Sequence, residues 1–116
     1  MSKHYIDNQR FEECIRTYLN GDTSVEEELF SMFDLLVDNI MGTFGFDVDR
    51  EDAKQECFVL ILKVMQNFNP ENGSAFNFFT TVIVNNLKLI YTKNKKYAEK
   101  LKAYEDLLTS RQDKVS

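Results

Sequence analysis

Across residues 52–90 the apolar side chains recur at steps of three and four, and one Pro/Gly break divides the run. That rhythm admits helices and excludes strands, because only a 3.6-residue period puts such positions on one face. In the first segment Cys57, Leu60, Ile61, Val64 and Phe68 form an apolar stripe. Opposite them Asp52, Gln55, Glu56, Val59 and Lys63 fall in line, an acid-rich face with one apolar residue in it. The second segment repeats the pattern with Phe79, Ile83, Leu87 and Ile90 as its core stripe. It also carries Phe76, Phe78, Val82 and Leu89 on its other faces, more apolar surface than one core contact needs. Between the two, Asn69-Pro70-Glu71-Asn72-Gly73 is a stop-and-turn signal, and Ser74 or Asn77 is placed to cap the next helix.

The flanks read the same way. Residues 1–7 have no period and are expected to be a mobile start. Phe11, Cys14, Ile15, Tyr18 and Leu19 make a short helix that Asn20-Gly21 stops. Ser24 with Glu27, or Thr23 with Glu26, is a capping-box candidate. Val25, Leu29, Phe33, Leu36, Ile40 and Phe44 then describe a long helix ending near 42–45, with Phe30, Val37 and Met41 widening its apolar face. Asp47-Val48-Asp49 is the connector, with Asp49 capping the next helix. Past Ile90 no breaker follows, and Tyr91, Tyr97, Leu101, Tyr104 and Leu108 continue a helix with a lysine-rich outer surface. Residues 109–116 are polar and expected to be mobile. The expected fold is one all-α domain over 1–116 with its core at about 9–103. It is a compact bundle of four to five helices around the helix from Val25, with a long basic C-terminal helix.

With 116 residues the chain can bury one modest core. No run of 18 or more apolar residues and no basic-then-apolar leader occurs, so a cytoplasmic protein without a membrane partner is expected. Cys14 and Cys57 both fall on apolar faces, which favours buried free thiols over a disulfide. Neither stands in a metal-ligand spacing, and His4 is the only histidine. No metal or cofactor is therefore expected. Cys-His pairs, Ser-His-Asp sets and Gly-rich phosphate loops are all missing, so a binding protein is expected rather than an enzyme.

The net charge of −5 is unevenly spread. Residues 1–74 hold 6 Lys/Arg against 15 Asp/Glu, whereas residues 75–116 hold 8 against 4. Charged faces are ordinarily just solvated. Yet Lys88, Lys93, Lys95, Lys96, Lys100 and Lys102 meet a single acid, Glu99, within their window, the footprint of phosphate contact.

Asp52, Gln55-Glu56, a run of aliphatics, Lys63, Phe68, Pro70-Glu71, Gly73, Phe76, Phe79 and Thr81 stand in one ungapped frame. That frame resembles region two of the bacterial sigma-70 family, the RNA polymerase subunits that find and melt promoters. The middle third of the chain is covered closely and the flanks loosely. The resemblance implies that Asp52, Gln55 and Glu56 dock on the coiled coil of the largest subunit of core RNA polymerase, and Val59 with Leu62 would supply a dry centre beside them. It implies that Phe76, Phe78, Phe79 and Thr81 form the melting segment, capturing bases of the non-template strand of promoter DNA. Asn85, Asn86 and Lys88 match the positions that read the upstream edge of the promoter hexamer, and Lys93, Lys95 and Lys96 then meet phosphates.

Two departures matter. Val82 and Ile83 stand where primary sigma factors carry paired tryptophans, and Trp is missing altogether. The chain is also short, which makes it similar to the reduced late-transcription sigma factors of tailed bacteriophages. These recognise a short A/T-rich element and would work in the host cytoplasm. Their hydrophobic-acidic clamp-binding tail has no counterpart here, since Leu107-Leu108 runs into Thr109-Ser110-Arg111. A coactivator is a further candidate partner. Two alternatives stay open: a polymerase-binding regulator that keeps the docking helix but does not read DNA, and a helical interaction module with an accidental likeness.

Overall fold

The structure, a computed structural model, describes residues 6–45 and 49–115, leaving out the side chains of Phe44 and of 111–115. Among the described residues it is all-α, with four α-helices, three short 3-10 turns and no strand. Most of the expected connector, Asp47-Val48, lies outside the described residues.

Each helix begins where the sequence supplies an acceptor. In α1 (Asn8–Leu19) Asp7 Oδ1 accepts the backbone N–H groups of Gln9 and Arg10 at 3.0 and 3.1 Å. Ile6, one residue earlier, is buried at the position of a hydrophobic staple over Phe11. Ile6 and Asp7, assigned to a mobile start, instead seal this helix. Helix α2 (Glu26–Phe44) uses neither expected capping box. Asp22 accepts from Ser24 N at 3.0 Å and caps a 3-10 turn, Thr23–Val25, which leads into the helix. A carboxylate is a stronger acceptor than the competing hydroxyls, and Glu26, Glu27 and Glu28 then complement the helix dipole. Gly45 ends α2 at φ 62°, a left-handed conformation that costs glycine little.

Helix α3 (Arg50–Val64) is capped by Asp49, whose Oδ1 accepts from Asp52 N at 3.0 Å. It tightens into a 3-10 turn, Met65–Asn67, before a second one, Pro70–Asn72, and Gly73 at φ 132°. Helix α4 (Ala75–Val115) is a single 41-residue element. Ser74, not Asn77, caps it: Ser74 Oγ accepts from Asn77 N at 3.1 Å. The N–H of Ala75 donates to Glu12 Oε1 at 2.9 Å, tying the start of α4 to α1.

Both α2 and α4 touch all three other helices. At their crossing Phe33 meets Phe79 edge-on at 5.0 Å, and Phe11 of α1 closes the cluster at 5.1 Å from Phe33 and 6.0 Å from Phe79. Phe79, Ile83, Leu87 and Ile90 are buried, the expected α4 stripe. On α3 the buried row is Ala53, Cys57, Ile61 and Met65, while Leu60, Val64 and Phe68 of the expected stripe are half-buried at its flank. Lys54 fastens α3 to α2: its Nζ lies 3.0 Å from Asp38 and 3.1 Å from Asp34. The hydrogen bond to Asp38 raises the Lys54 pKa above the ordinary lysine value. Cys14 and Cys57 are free and buried, and burial pushes both thiols up.

Packing stops at Ile90. The buried set runs from Ile6 to Ile90, whereas every residue of 91–110 is exposed. The molecule measures 68 × 31 × 25 Å because the second half of α4 stands clear of the rest. The expected compact bundle describes the first three quarters of the chain only.

Candidate functional site

Two faces carry the residues singled out in the sequence. The first is on α3. Asp52, Gln55, Glu56 and Val59 follow one another at steps of three, one and three, so they share a side of the helix, and all are exposed. Val59 is 54% and Leu62 45% exposed, an uncommon amount for aliphatics beside an available core. They are out because α3 has apolar residues nearly all round, and α2 and α4 cover only the row from Ala53 to Met65. This face borders a groove of about 350 Å³ lined by Gln55, Glu56, Val59, Leu60, Lys63 and Asn86. A second groove, of about 360 Å³, adds Asp49, Asp52, Ala53, Ile90 and Asn94 beside Gln55 and Glu56. Acid and amide acceptors beside a dry aliphatic centre suit a basic helix with an apolar stripe of its own.

The second face begins at the first turns of α4. Phe78, Thr81, Asn85 and Lys88 repeat at steps of three, four and three, and Lys95 and Lys96 continue that row two turns on. Phe78 and Phe76 are half-buried, while Thr81, Asn85, Lys88, Lys93, Lys95 and Lys96 are exposed. Phe78 lies nearly flat on Phe68, ring centres 5.6 Å apart and planes 20° apart, and it abuts Phe79 at 4.9 Å. The stacked pair walls a groove of about 470 Å³ with Asn67, Asn69, Asn72, Asn77, Thr81 and Val82 around it. That volume lies within the range of small-molecule sites. An aromatic wall facing side-chain amides is the chemistry that receives an unpaired base, by stacking and by edge hydrogen bonds.

Three residues of the expected DNA set do not belong to this face: Phe76, in line with Phe79 and Ile83 at steps of three and four, packs against the core and does not reach the groove. Phe79 is fully buried between Phe11 and Phe33, so a ligand cannot reach it. Asn86 is half-buried and turned toward α3, where its Nδ2 donates to Cys57 Sγ at 3.5 Å. It borders the α3 face instead. In exchange the groove recruits Asn67, Asn69, Asn72 and Asn77, which the motif frame passes over. Their signal was the density of Asn around Pro70, read as turn chemistry alone; Asn69 does serve the turn, its Oδ1 accepting from Glu71 N at 3.0 Å.

Among the described residues no group of three His, Cys, Asp or Glu side chains is placed to hold a metal ion, and no helix is long and apolar enough to cross a membrane. Comparison with protein families, curated proteins and solved structures returned no match, so the two faces stand on their own geometry.

Proposed function

We propose that the chain is a small sigma-like promoter-specificity subunit, a region-two-type helical bundle with a long basic C-terminal helix. The α3 face binds core RNA polymerase through Asp52, Gln55, Glu56, Val59 and Leu62. The α4 face receives an A/T-rich promoter element, Phe78 stacking with a base, Asn85 and Thr81 beside it, and Lys88, Lys95 and Lys96 meeting phosphates. The observation that supports this most is the groove at Phe78: an aromatic wall, several amides and a line of lysines occur on one accessible side of α4. Base capture would offset lost stacking by about 1–3 kcal/mol per base.

The test is run-off transcription from A/T-rich templates with candidate core polymerases, with and without the protein. Phe78→Ala is expected to lower open-complex formation on duplex DNA, scored by permanganate reactivity of thymines, and a pre-melted bubble is expected to restore most of it. Normal melting by this variant removes the stacking role. Glu56→Lys is expected to abolish polymerase capture while the fold persists, because the side chain is exposed.

A second reading has its own support. Phe79 is sealed in the core, Phe76 and Phe78 are half covered, and no tryptophan replaces them. A regulator that docks on polymerase without reading DNA would show the same Glu56→Lys defect but no response to Phe78→Ala or to the bubble.

A further inference from the structure

The apolar rhythm of α4 does not end where its packing does. Ile90, Asn94, Tyr97, Leu101, Tyr104 and Leu108 follow at steps of four, three, four, three and four, one heptad seam in phase with the buried Ile83 and Leu87. Inside the bundle α1, α2 and α3 cover this seam. Outside it Tyr97 is 69%, Leu101 46%, Tyr104 59% and Leu108 41% exposed, with Leu107 beside them at 55%. Lys95, Lys96 and Lys102 occupy the outer positions of the same heptads. A single helix standing in water is marginal by itself, and a hydrophobic seam of coiled-coil period is what a second helix covers.

We propose that this seam is a dimerisation surface, on which the segment after Ile90 pairs antiparallel with the same segment of a second copy. The seam is complementary to itself in that orientation. Tyr97 and Leu108 are equidistant from the midpoint between Lys102 and Ala103, and so are Leu101 and Tyr104. Antiparallel pairing about that midpoint therefore sets a tyrosine against a leucine in every apolar layer. In-register parallel pairing would stack Tyr on Tyr and Leu on Leu.

The bundle decides the direction. Ile90 and Asn94 share a groove with Asp49, Asp52, Ala53, Gln55 and Glu56, so the first turns of α3 occupy the seam side of α4 at that level. A parallel copy would have to carry its own 75–90 segment, and its own bundle, through that space. An antiparallel copy presents position 111 opposite Asn94, with its own bundle at the far end of the paired segment. Charge agrees: the groove it approaches holds Asp49, Asp52 and Glu56, and the arriving residues 108–115 carry Arg111 and Lys114 against Asp113. The parallel arrangement would gain a cross-chain pairing of Lys100 with Glu105, but an exposed ion pair changes affinity by less than about fivefold and does not offset a backbone collision.

The experiment is sedimentation velocity on the full chain over a concentration series, with cysteine cross-linking to fix the direction. Wild type is expected to pass from monomer to dimer. Leu101→Glu is expected to weaken the dimer about a hundredfold or more, since a carboxylate enters a central layer twice. Its circular dichroism melt at monomer concentrations is expected to match wild type, because nothing in the monomer packs on this residue. Under mild oxidation, a mixture of Tyr97→Cys and Leu108→Cys is expected to form the mixed disulfide dimer, while neither variant alone does. Wild type, whose Cys14 and Cys57 are buried, is the blank. A monomer at all concentrations overturns the proposal, as does a dimer indifferent to Leu101→Glu. Efficient self-linking of Tyr97→Cys overturns the antiparallel direction.

Discussion

The two halves of α4 have the same backbone and the same seam but opposite surroundings. From Ala75 to Ile90 the seam residues are buried, and the first N–H group is held by Glu12. From residue 91 onward an equally regular seam stands in water. Periodicity therefore reports a face that something covers, without saying whether the covering is within the chain. It is burial by other elements, not helical pattern, that stabilises the first half. The second half has only its own propensity and the continuity of the helix behind it.

The sharpest way to break the comparison is to make the same kind of deletion in both halves. Ile83→Ala is expected to cost about 2–5 kcal/mol in denaturant unfolding. Leu101→Ala is expected to stay within about 0.5 kcal/mol at monomer concentrations, as for an ordinary surface change. Equal costs would mean that the protruding half is packed after all. Next, Lys54→Ala is expected to cost about 1–2 kcal/mol, because it takes the nearer cation from a partly buried Asp38 and leaves only Arg50, at 3.5 Å. The Lys54 pKa is raised on folding, so its contribution is complete below the ordinary lysine value of about 10.4 and is lost as pH rises through the folded value. An alkaline stability titration of wild type and variant should converge there, while near neutrality the two differ.

Thr92→Pro tests the continuity itself. The ring blocks the hydrogen bond to the carbonyl one turn back, so the segment beyond must nucleate alone. Helical ellipticity is expected to fall while the unfolding free energy of the bundle changes by no more than about 0.5 kcal/mol. A large midpoint shift would show that the protruding half supports the bundle. The smallest effect belongs to Glu28→Gln at the edge of α1 and α2. Arg10 pairs with Glu28 through Nε at 2.7 Å, which holds the Glu28 carboxyl below the usual range. A depressed pKa stabilises above the ordinary glutamate value and is lost as pH falls through the folded one. Wild type and variant should thus differ slightly at neutral pH and coincide in acid.

Much of the fold was legible in the residues. The α4 stripe of Phe79, Ile83, Leu87 and Ile90, the stop at Asn20-Gly21, and Asp49 as a cap all stand where the period and turn chemistry place them. The row on α3 was misread by one flank because apolar residues surround that helix, so periodicity does not single out a side. Ala53 was passed over because a methyl group signals weakly. Near Val25 a rule of thumb for hydroxyl caps lost to Asp22, a stronger acceptor one position earlier. At the candidate site, helical spacing placed Phe78, Thr81, Asn85 and Lys88 together. It did not bring Asn67, Asn69 and Asn72 to them, because that approach is made by the turn around Pro70 and no period describes it.

The hydrogen bond from Ala75 to Glu12 has a mechanical consequence. It pins the foot of a rod whose free part extends about 37 Å past Ile90 at 1.5 Å per residue. Tilting the rod by about ten degrees about Ile90, where its packing ends, would sweep the far tip sideways by roughly 6 Å, with no bond in the rod rearranged. The bundle is the short arm and the lysine-bearing segment the long one. A ligand that nudges α1 against the start of α4 would thus be read out as displacement of charge far from where it binds.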